Sequence, residues 1–307
     1  MGEKIILIAG GSGFLGKEIG NLLRKKEFIV RILTRSVQKK LIFDQYIWNP
    51  STGYIDPVAF DNVDVVINLS GASLANKRWS ASYKHELRTS RILSTQLLVE
   101  KMNSLACKPG LFISASGTGI YGHQPDQIIT EESLTPKEGF IPTLCIDWEE
   151  AAKNISNEIR NIVIRTGIVL SMEEGYIAKT RIPSLFGIAP LFGDGSQMQS
   201  WIHINDLFKA ILFMIENSNL RGIVNLTSPY PCSQAKISNL MARKSAGFSI
   251  PIPIPVWIMK ILVGQLAPTL VESQFVLPKK LSDGGFKFDY GEIDTALNEL
   301  IRKRKSI

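Results

Sequence analysis

The chain has 307 residues, of which 45% are hydrophobic and 21% charged. That length and balance suit a folded protein with one large core or two moderate ones, and exclude a disordered or fibrous chain. The net charge of +7 favours anionic ligands such as a phosphorylated nucleotide, while its basic clusters are too dispersed along the chain to make nucleic acid the expected partner.

The first half alternates strand and helix patterns. Lys4–Ala9 reads as an apolar strand, and Leu15–Lys26 as a helix with Ile19, Leu22 and Leu23 inward. Phe28–Thr34 is a second strand, followed by a looser segment through Trp48 and Tyr54. Asp64–Ser70 is a strongly apolar strand. Trp79–Asn103 is a long helix with Leu87, Ile92, Leu97, Leu98 and Met102 on its buried side. Leu111–Ser116 is a strand, Leu144–Glu158 a helix and Asn161–Thr166 another strand. This alternation implies an α/β, Rossmann-type doubly wound parallel sheet with its ligand at the carboxyl ends of the strands.

After Gly167 the pattern loosens. Ile182–Gly195 is rich in Pro and Gly, a helix runs from Asn205 to Glu216, and Ile223–Leu226 is a strand. The expected division is a Rossmann-type domain over 1–170, onto which 203–227 packs back, and a smaller C-terminal α/β lobe over 171–307. Ile250–Val271 is apolar, but four prolines and Lys260 interrupt it, so it reads as packed loop and helix, with no membrane partner expected. Met1 leads almost directly into the first strand, so no signal peptide is expected. Cys107, Cys145 and Cys232 are widely spaced, which fits a reducing, cytoplasmic setting, and the scattered His85, His123 and His203 suggest no metal site.

The first strand runs straight into Gly10-Gly11-Ser12-Gly13-Phe14-Leu15-Gly16 and then into a helix. Gly11, Gly13 and Gly16 match the dinucleotide pattern G-x-G-x-x-G, and Gly10, Gly13 and Gly16 match the wider G-x-x-G-x-x-G. Glycine permits the tight turn and the close approach of a pyrophosphate, and the helix start directs N–H groups at it. The second strand ends in Thr34-Arg35-Ser36, with no acid for ribose hydroxyls. A hydroxyl and a guanidinium there suit a 2′-phosphate, so NADP is the expected cofactor.

Several later segments occur in a fixed order. They are Asn68-Leu69-Ser70-Gly71-Ala72, Lys77-Arg78-Trp79, Ser90-Arg91, Ser114-Ala115-Ser116-Gly117-Thr118-Gly119-Ile120-Tyr121-Gly122, Trp148-Glu149, Arg165-Thr166-Gly167, Trp201-Ile202-His203 and Leu277-Pro278-Lys279-Lys280. With the glycine turn they resemble an atypical branch of the extended short-chain dehydrogenase/reductases over nearly the whole chain. This is the epimerase-like family labelled nucleoside-diphosphate-sugar epimerase or cell-division-inhibitor-like. The resemblance implies NADP(H) binding by the glycine turn, Thr34, Arg35, Leu69, Ser70, Gly71, Glu86, Arg91 and Ile168. It also implies a family-specific C-terminal domain over about 250–300.

The superfamily's Tyr-x-x-x-Lys pair is missing, since no Tyr here has Lys four residues later. Ile141 aligns with the Tyr and Cys145 with the Lys. An isoleucine cannot transfer a proton and a cysteine cannot supply the cation. Ser116 is the candidate to hold a substrate oxygen. Tyr121 is the candidate substitute acid, with His123 as a further option. Cys145 reads as a small buried helix residue, and His203 as structural or pocket-lining, before a helix that Asn205 caps.

Two readings follow. One is an NADP-dependent epimerase or oxidoreductase acting on a small molecule, with a sugar nucleotide as candidate substrate. Its cleft would be lined by Lys77, Arg78, Trp79 and the loop Gly193-Asp194-Gly195-Ser196-Gln197. The other is a non-catalytic NADP(H)-binding sensor or scaffold, linked to cell division by the family label. Homo-oligomerisation is left open.

Overall fold

The computed structural model describes residues 4–305. In chain order the first half runs β1 (Ile5–Ala9), α1 (Phe14–Lys25), β2 (Ile29–Thr34), β3 (Asp44–Asn49), β4 (Tyr54–Ile55), β5 (Val65–Asn68), α2 (Ala81–Ser104), β6 (Leu111–Gly117), β7 (Gln124–Ile129), α3 (Phe140–Lys153) and β8 (Arg160–Thr166). The second half runs β9 (Ile168–Leu170), α4 (Gly175–Leu185), β10 (Ile188–Phe192), β11 (Met198–Gln199), β12 (Trp201–His203), α5 (Ile204–Glu216), β13 (Gly222–Leu226), β14 (Cys232–Ser233), α6 (Gln234–Ala246), β15 (Ile250–Ile254), α7 (Val256–Val263), β16 (Gln274–Val276), α8 (Lys279–Asp283) and α9 (Ile293–Lys305).

The main sheet has the order β13-β8-β6-β5-β1-β2-β3-β4. All its pairings are parallel except β3 with β4. Alternate side chains of β1 explain the double winding. Ile6 and Ile8 face one way and pack with Ile19 and Leu23 of α1 and Leu207 and Ile211 of α5. Leu7 and Ala9 face the other way, with Leu98 of α2 and Ala152 of α3. A strand buried on both faces reads as a continuous apolar run, which is why Ile5–Ala9 carries no polar residue.

The strand and helix patterns of the first half match the structure with small shifts at most ends, but α3 starts four residues before the expected Leu144 and stops five before Glu158, and β7 has no counterpart in the pattern. The segment after β2 departs more. Its pattern reads as loose, yet Asp44–Asn49 is a full sheet strand paired with β2. Its mixed Asp-Gln-Tyr-Ile-Trp-Asn composition hides the period because it lies near the sheet edge, half-buried except for the exposed Asp44 and the buried Trp48. Ile182–Gly195 holds the end of α4 and all of β10, and β10 pairs with β15 in a small separate sheet. Ile250–Val271 contains that strand and α7, and Trp257, Ile261 and Leu262 remain exposed rather than packed. No helix among the described residues is long and apolar enough to cross a membrane.

The smaller C-terminal strands and helices are tied to the main sheet. β13 adds to its edge beside β8, while β16 pairs with β7 in a separate two-stranded sheet. Leu281, Phe286, Ile293, Leu297 and Leu300 share one core cluster with Ile8 and Ile19.

Candidate functional site

The site is built at the carboxyl ends of β1, β5, β6 and β8, where two cavities meet. The larger has a volume of about 920 Å³ and the other about 420 Å³, within the size range of small-molecule sites. Gly10, Gly13, Arg35, Leu69, Gly71 and Glu86 border both.

Backbone packing explains the glycine turn. Gly10 has φ +78°, and a Cβ there would lie 2.8 Å from the Leu69 carbonyl carbon. A Cβ on Gly16 would lie 2.6 Å from the Gly11 Cα, so only glycine lets α1 start so close to the end of β1. No side chain caps α1, whose N-cap residue is Gly13. Its first N–H groups and the positive end of its dipole are therefore left for an anion. Gly13, Phe14, Leu15 and Gly16 line the larger cavity, Ser12 lines the smaller one, and Gly11 lines neither.

The smaller cavity is bordered by Thr34, Arg35, Trp48, Asn49 and Ser70. Thr34 is buried, and its hydroxyl donates to the Ser36 carbonyl at 2.8 Å. Arg35 is exposed and borders both cavities, so of the expected pair it is the one placed to meet a phosphate. Trp48 and Asn49 come from β3, the strand that the sequence pattern conceals.

The other end of the larger cavity holds the chemistry-bearing side chains. Ser116, at the end of β6, donates its hydroxyl to Glu149 Oε1 at 2.8 Å. Glu149 sits on α3 and is clamped by Arg165 of β8, with Nε and Nη2 each 2.8 Å from a carboxylate oxygen. Both residues are buried. Burial would depress the Arg165 pKa, but the hydrogen bonds and charge of Glu149 outweigh it and hold it above the usual arginine value.

Tyr121, expected as substitute acid, is not brought to the cavity. It is fully buried behind Arg165, accepting from Arg165 Nη1 at 2.9 Å and donating to Asn225 Oδ1 at 2.8 Å. Burial pushes its hydroxyl pKa up. A phenol this enclosed, with protein partners on its oxygen, has no path to a ligand. His123 is exposed and accepts from the Ser273 N–H at 3.0 Å, also outside the cavity lining. His203 is buried elsewhere and itself caps α5 by accepting from the Asn205 N–H at 3.2 Å, replacing Asn205 as the expected cap.

Ile141 and Cys145, the residues aligned with the missing pair, do face the cavity. Burial pushes the Cys145 thiol up to about 11 and the Cys232 thiol likewise to about 11, whereas Cys107 is exposed. Titration with a thiol reagent at neutral pH should therefore modify one cysteine per native chain. The other two should react only on unfolding or as the pH approaches their raised values. Three fast equivalents would show that the two buried thiols are open.

Two further residues on α2 complete the wall. Arg91 is buried with its guanidinium 5.0 Å from the Trp148 ring centroid, and it donates to the Leu87 carbonyl at 3.0 Å. Burial lowers its pKa, and Cys145 opposes that shift. No carboxylate pairs with Arg91 among the described residues, so it is a desolvated cation facing the cavity. Glu86, expected beside the cofactor, is ion-paired with Lys77 at 3.1 Å. Ile168 lines the same cavity from β9. Trp148, Glu149 and Arg165 are legible as motif residues, but their partnership is not.

Comparisons with known proteins show the family and the fold. Residues 6–227 match the model of the NAD dependent epimerase/dehydratase family, and residues 254–300 match a domain of unknown function. An epimerase family protein of Staphylococcus aureus is 37% identical over 309 residues, covering 98% of this chain and 100% of that protein. The human epimerase family protein SDR39U1, crystallised with NADPH, is 25% identical with a TM-score of 0.88, covering 97% of this chain and 99% of that one. A UDP-glucuronic acid 4-epimerase of Bacillus cereus, crystallised with UDP-glucuronic acid and NAD, shares the fold at 16% identity and a TM-score of 0.76, covering 98% and 99%. The Rossmann-type sheet, the glycine turn at its switch point and the full-length relatives place this chain in the NAD dependent epimerase/dehydratase family, with the family's additional C-terminal domain of unknown function.

Proposed function

We propose that this chain is an NADP(H)-binding protein of the extended short-chain dehydrogenase/reductase type, acting on a small molecule. The observation that carries the cofactor choice is the end of β2. Arg35 borders both cavities there, and no acid stands beside it to repel a 2′-phosphate. The uncapped start of α1 suits the pyrophosphate, and the desolvated Arg91 suits the nicotinamide-side half. NADP(H), when bound, supplies or accepts a hydride. Ser116 positions the reacting oxygen, and Glu149 with Arg165 positions Ser116. Trp148, Ile141 and Leu144 keep water from that end of the cavity.

A second reading, a non-catalytic NADP(H) sensor or scaffold, is favoured by Ile141 and Cys145, which put no proton donor where the family has one. The solved structures that hold sugar nucleotides are 16–18% identical to this chain and share its fold alone.

Calorimetric titration with NADPH and NADH tests the cofactor. NADPH should bind at least ~10-fold more tightly than NADH, and Arg35→Ala should remove most of that preference. Equal binding of the two cofactors by the unaltered protein would refute the assignment. Slow, substrate-dependent change in nicotinamide absorbance that disappears in Ser116→Ala would favour the enzyme. Tight NADPH binding without turnover across a carbonyl and alcohol panel would favour the sensor.

A further inference from the structure

The larger cavity beyond the glycine turn, where a substrate would meet the cofactor, is lined by the apolar Leu74, Ile141, Leu144 and Val169, with Thr118 and Glu174 as polar members of the same lining. Nucleoside diphosphates carry two phosphates that must leave water, and protein sites repay that cost with unpaired cations or several N–H donors. The cations lining this cavity are disposed otherwise. Arg35 stands at the adenosine end. Lys77 is held by Glu86 at 3.1 Å and lies over the Tyr83 ring. Arg91 is stacked on Trp148 and committed to the Leu87 carbonyl at 3.0 Å.

The basic and glycine-rich groups expected to complete a phosphate site are turned elsewhere. Arg78 donates to the Lys260 carbonyl at 3.3 Å and does not line the cavity. The loop 193–197 is also outside the lining, and its Gln197 donates to the carbonyls of Phe192 and Leu270.

Ser116 brings a polar atom to this end, and its orientation is decided by its partner. Glu149 is a carboxylate clamped by Arg165, so it offers only lone pairs, and the Ser116 hydroxyl proton is committed to it at 2.8 Å. What Ser116 presents to the cavity is therefore a lone pair. It can accept a hydrogen bond from a ligand but cannot give one without losing Glu149. A serine that donates to a substrate carbonyl needs the opposite orientation.

We propose that this end of the cavity takes an uncharged, predominantly apolar molecule bearing a hydroxyl or N–H donor, which Ser116 accepts, and that it discriminates against nucleoside-diphosphate sugars. This rests on the proposed function only in assigning the glycine-turn end to NADP(H). The same apolar wall that excludes phosphates supplies the affinity for such a ligand.

The test uses the full chain saturated with NADPH, titrated by calorimetry with three probes. They are 2-naphthol, 2-methoxynaphthalene (the same ring system without the donor) and UDP-glucose. Neither naphthalene exchanges a hydride with the cofactor. The expected result is that 2-naphthol binds at least ten times more tightly than either other probe. In Ser116→Ala the two naphthalenes should come within about twofold of each other, while Glu149 keeps its Arg165 clamp and the fold. Tighter binding of UDP-glucose than of 2-naphthol would overturn the proposal. So would undetectable 2-naphthol binding, or a preference for 2-naphthol that survives Ser116→Ala. The NADPH titration of the same sample reads the cofactor site separately, so failure of that site and failure of this proposal give different results.

Discussion

Glu149→Ala should be among the most destabilising single substitutions in this protein, costing ~3–5 kcal/mol. The substitution leaves the Arg165 guanidinium buried at 4% side-chain exposure with its countercharge gone. It also removes the acceptor of Ser116. A stranded charge costs more than the pair contributed, because the desolvation of Arg165 persists when the attraction is lost. The effect should appear as a fall in the denaturant midpoint with little change in slope. Replacing both partners with methionine should recover at least half of the loss, since no bare charge then remains. A useful contrast lies one residue along α3. Glu150 pairs with Lys153 at 2.5 Å, but both side chains are more than half exposed, and Glu150→Ala should cost ~1 kcal/mol or less. Equal losses for Glu149→Ala and Glu150→Ala would show that the Glu149–Arg165 pair is not buried as described.

Gly16→Ala should cost NADPH affinity by ~100-fold or more, equivalent to ~2.7 kcal/mol. The added methyl would meet the Gly11 Cα at 2.6 Å and the Gly10 carbonyl carbon at 3.0 Å. Both are backbone atoms, so no flexible side chain can give way. The start of α1 must retreat from the end of β1, and its N–H groups move with it. The same displacement should lower stability by ~1–3 kcal/mol, the usual cost of overpacking. Gly110→Ala is the control, because its nearest neighbour to an added Cβ is 3.8 Å away. NADPH binding by Gly16→Ala at the unaltered affinity would remove the glycine turn from the cofactor site.

The need for glycine at position 16 is legible in the sequence alone, since three glycines between an apolar strand and a helix pattern define a local geometry. The burial of Glu149 is not. Glu149 and Arg165 are 16 residues apart on different elements, and although each belongs to a quoted motif, neither motif names the other as its partner. Tyr121 shows the converse. Its position after Gly117-Thr118-Gly119-Ile120 makes it a reasonable acid, yet the loop turns it inward, where Asn225, 104 residues away, accepts its proton. The strand Asp44–Asn49 escapes the sequence pattern for a related reason. An edge position tolerates polar side chains, so the alternation that marks a strand is weak there.

What the sequence determined by itself is therefore whatever depends on neighbours along the chain. This includes the alternation of strands and helices, the glycine turn and the missing acid after β2. It also includes the absence of Tyr and Lys from the start of α3. These are properties of backbone sterics and of periodic burial, and both are written in consecutive residues. Tertiary structure decided the rest. It set which charges meet and which stay apart, which hydroxyl faces the cavity, and which way that hydroxyl points. Those outcomes depend on desolvation and on partners delivered by other strands, so no local pattern carries them. Arg91 arrives from α2 onto the Trp148 ring of α3, and Glu149 accepts the hydrogen bond of Ser116. Only packing α2 and α3 on one face of the sheet brings these groups together.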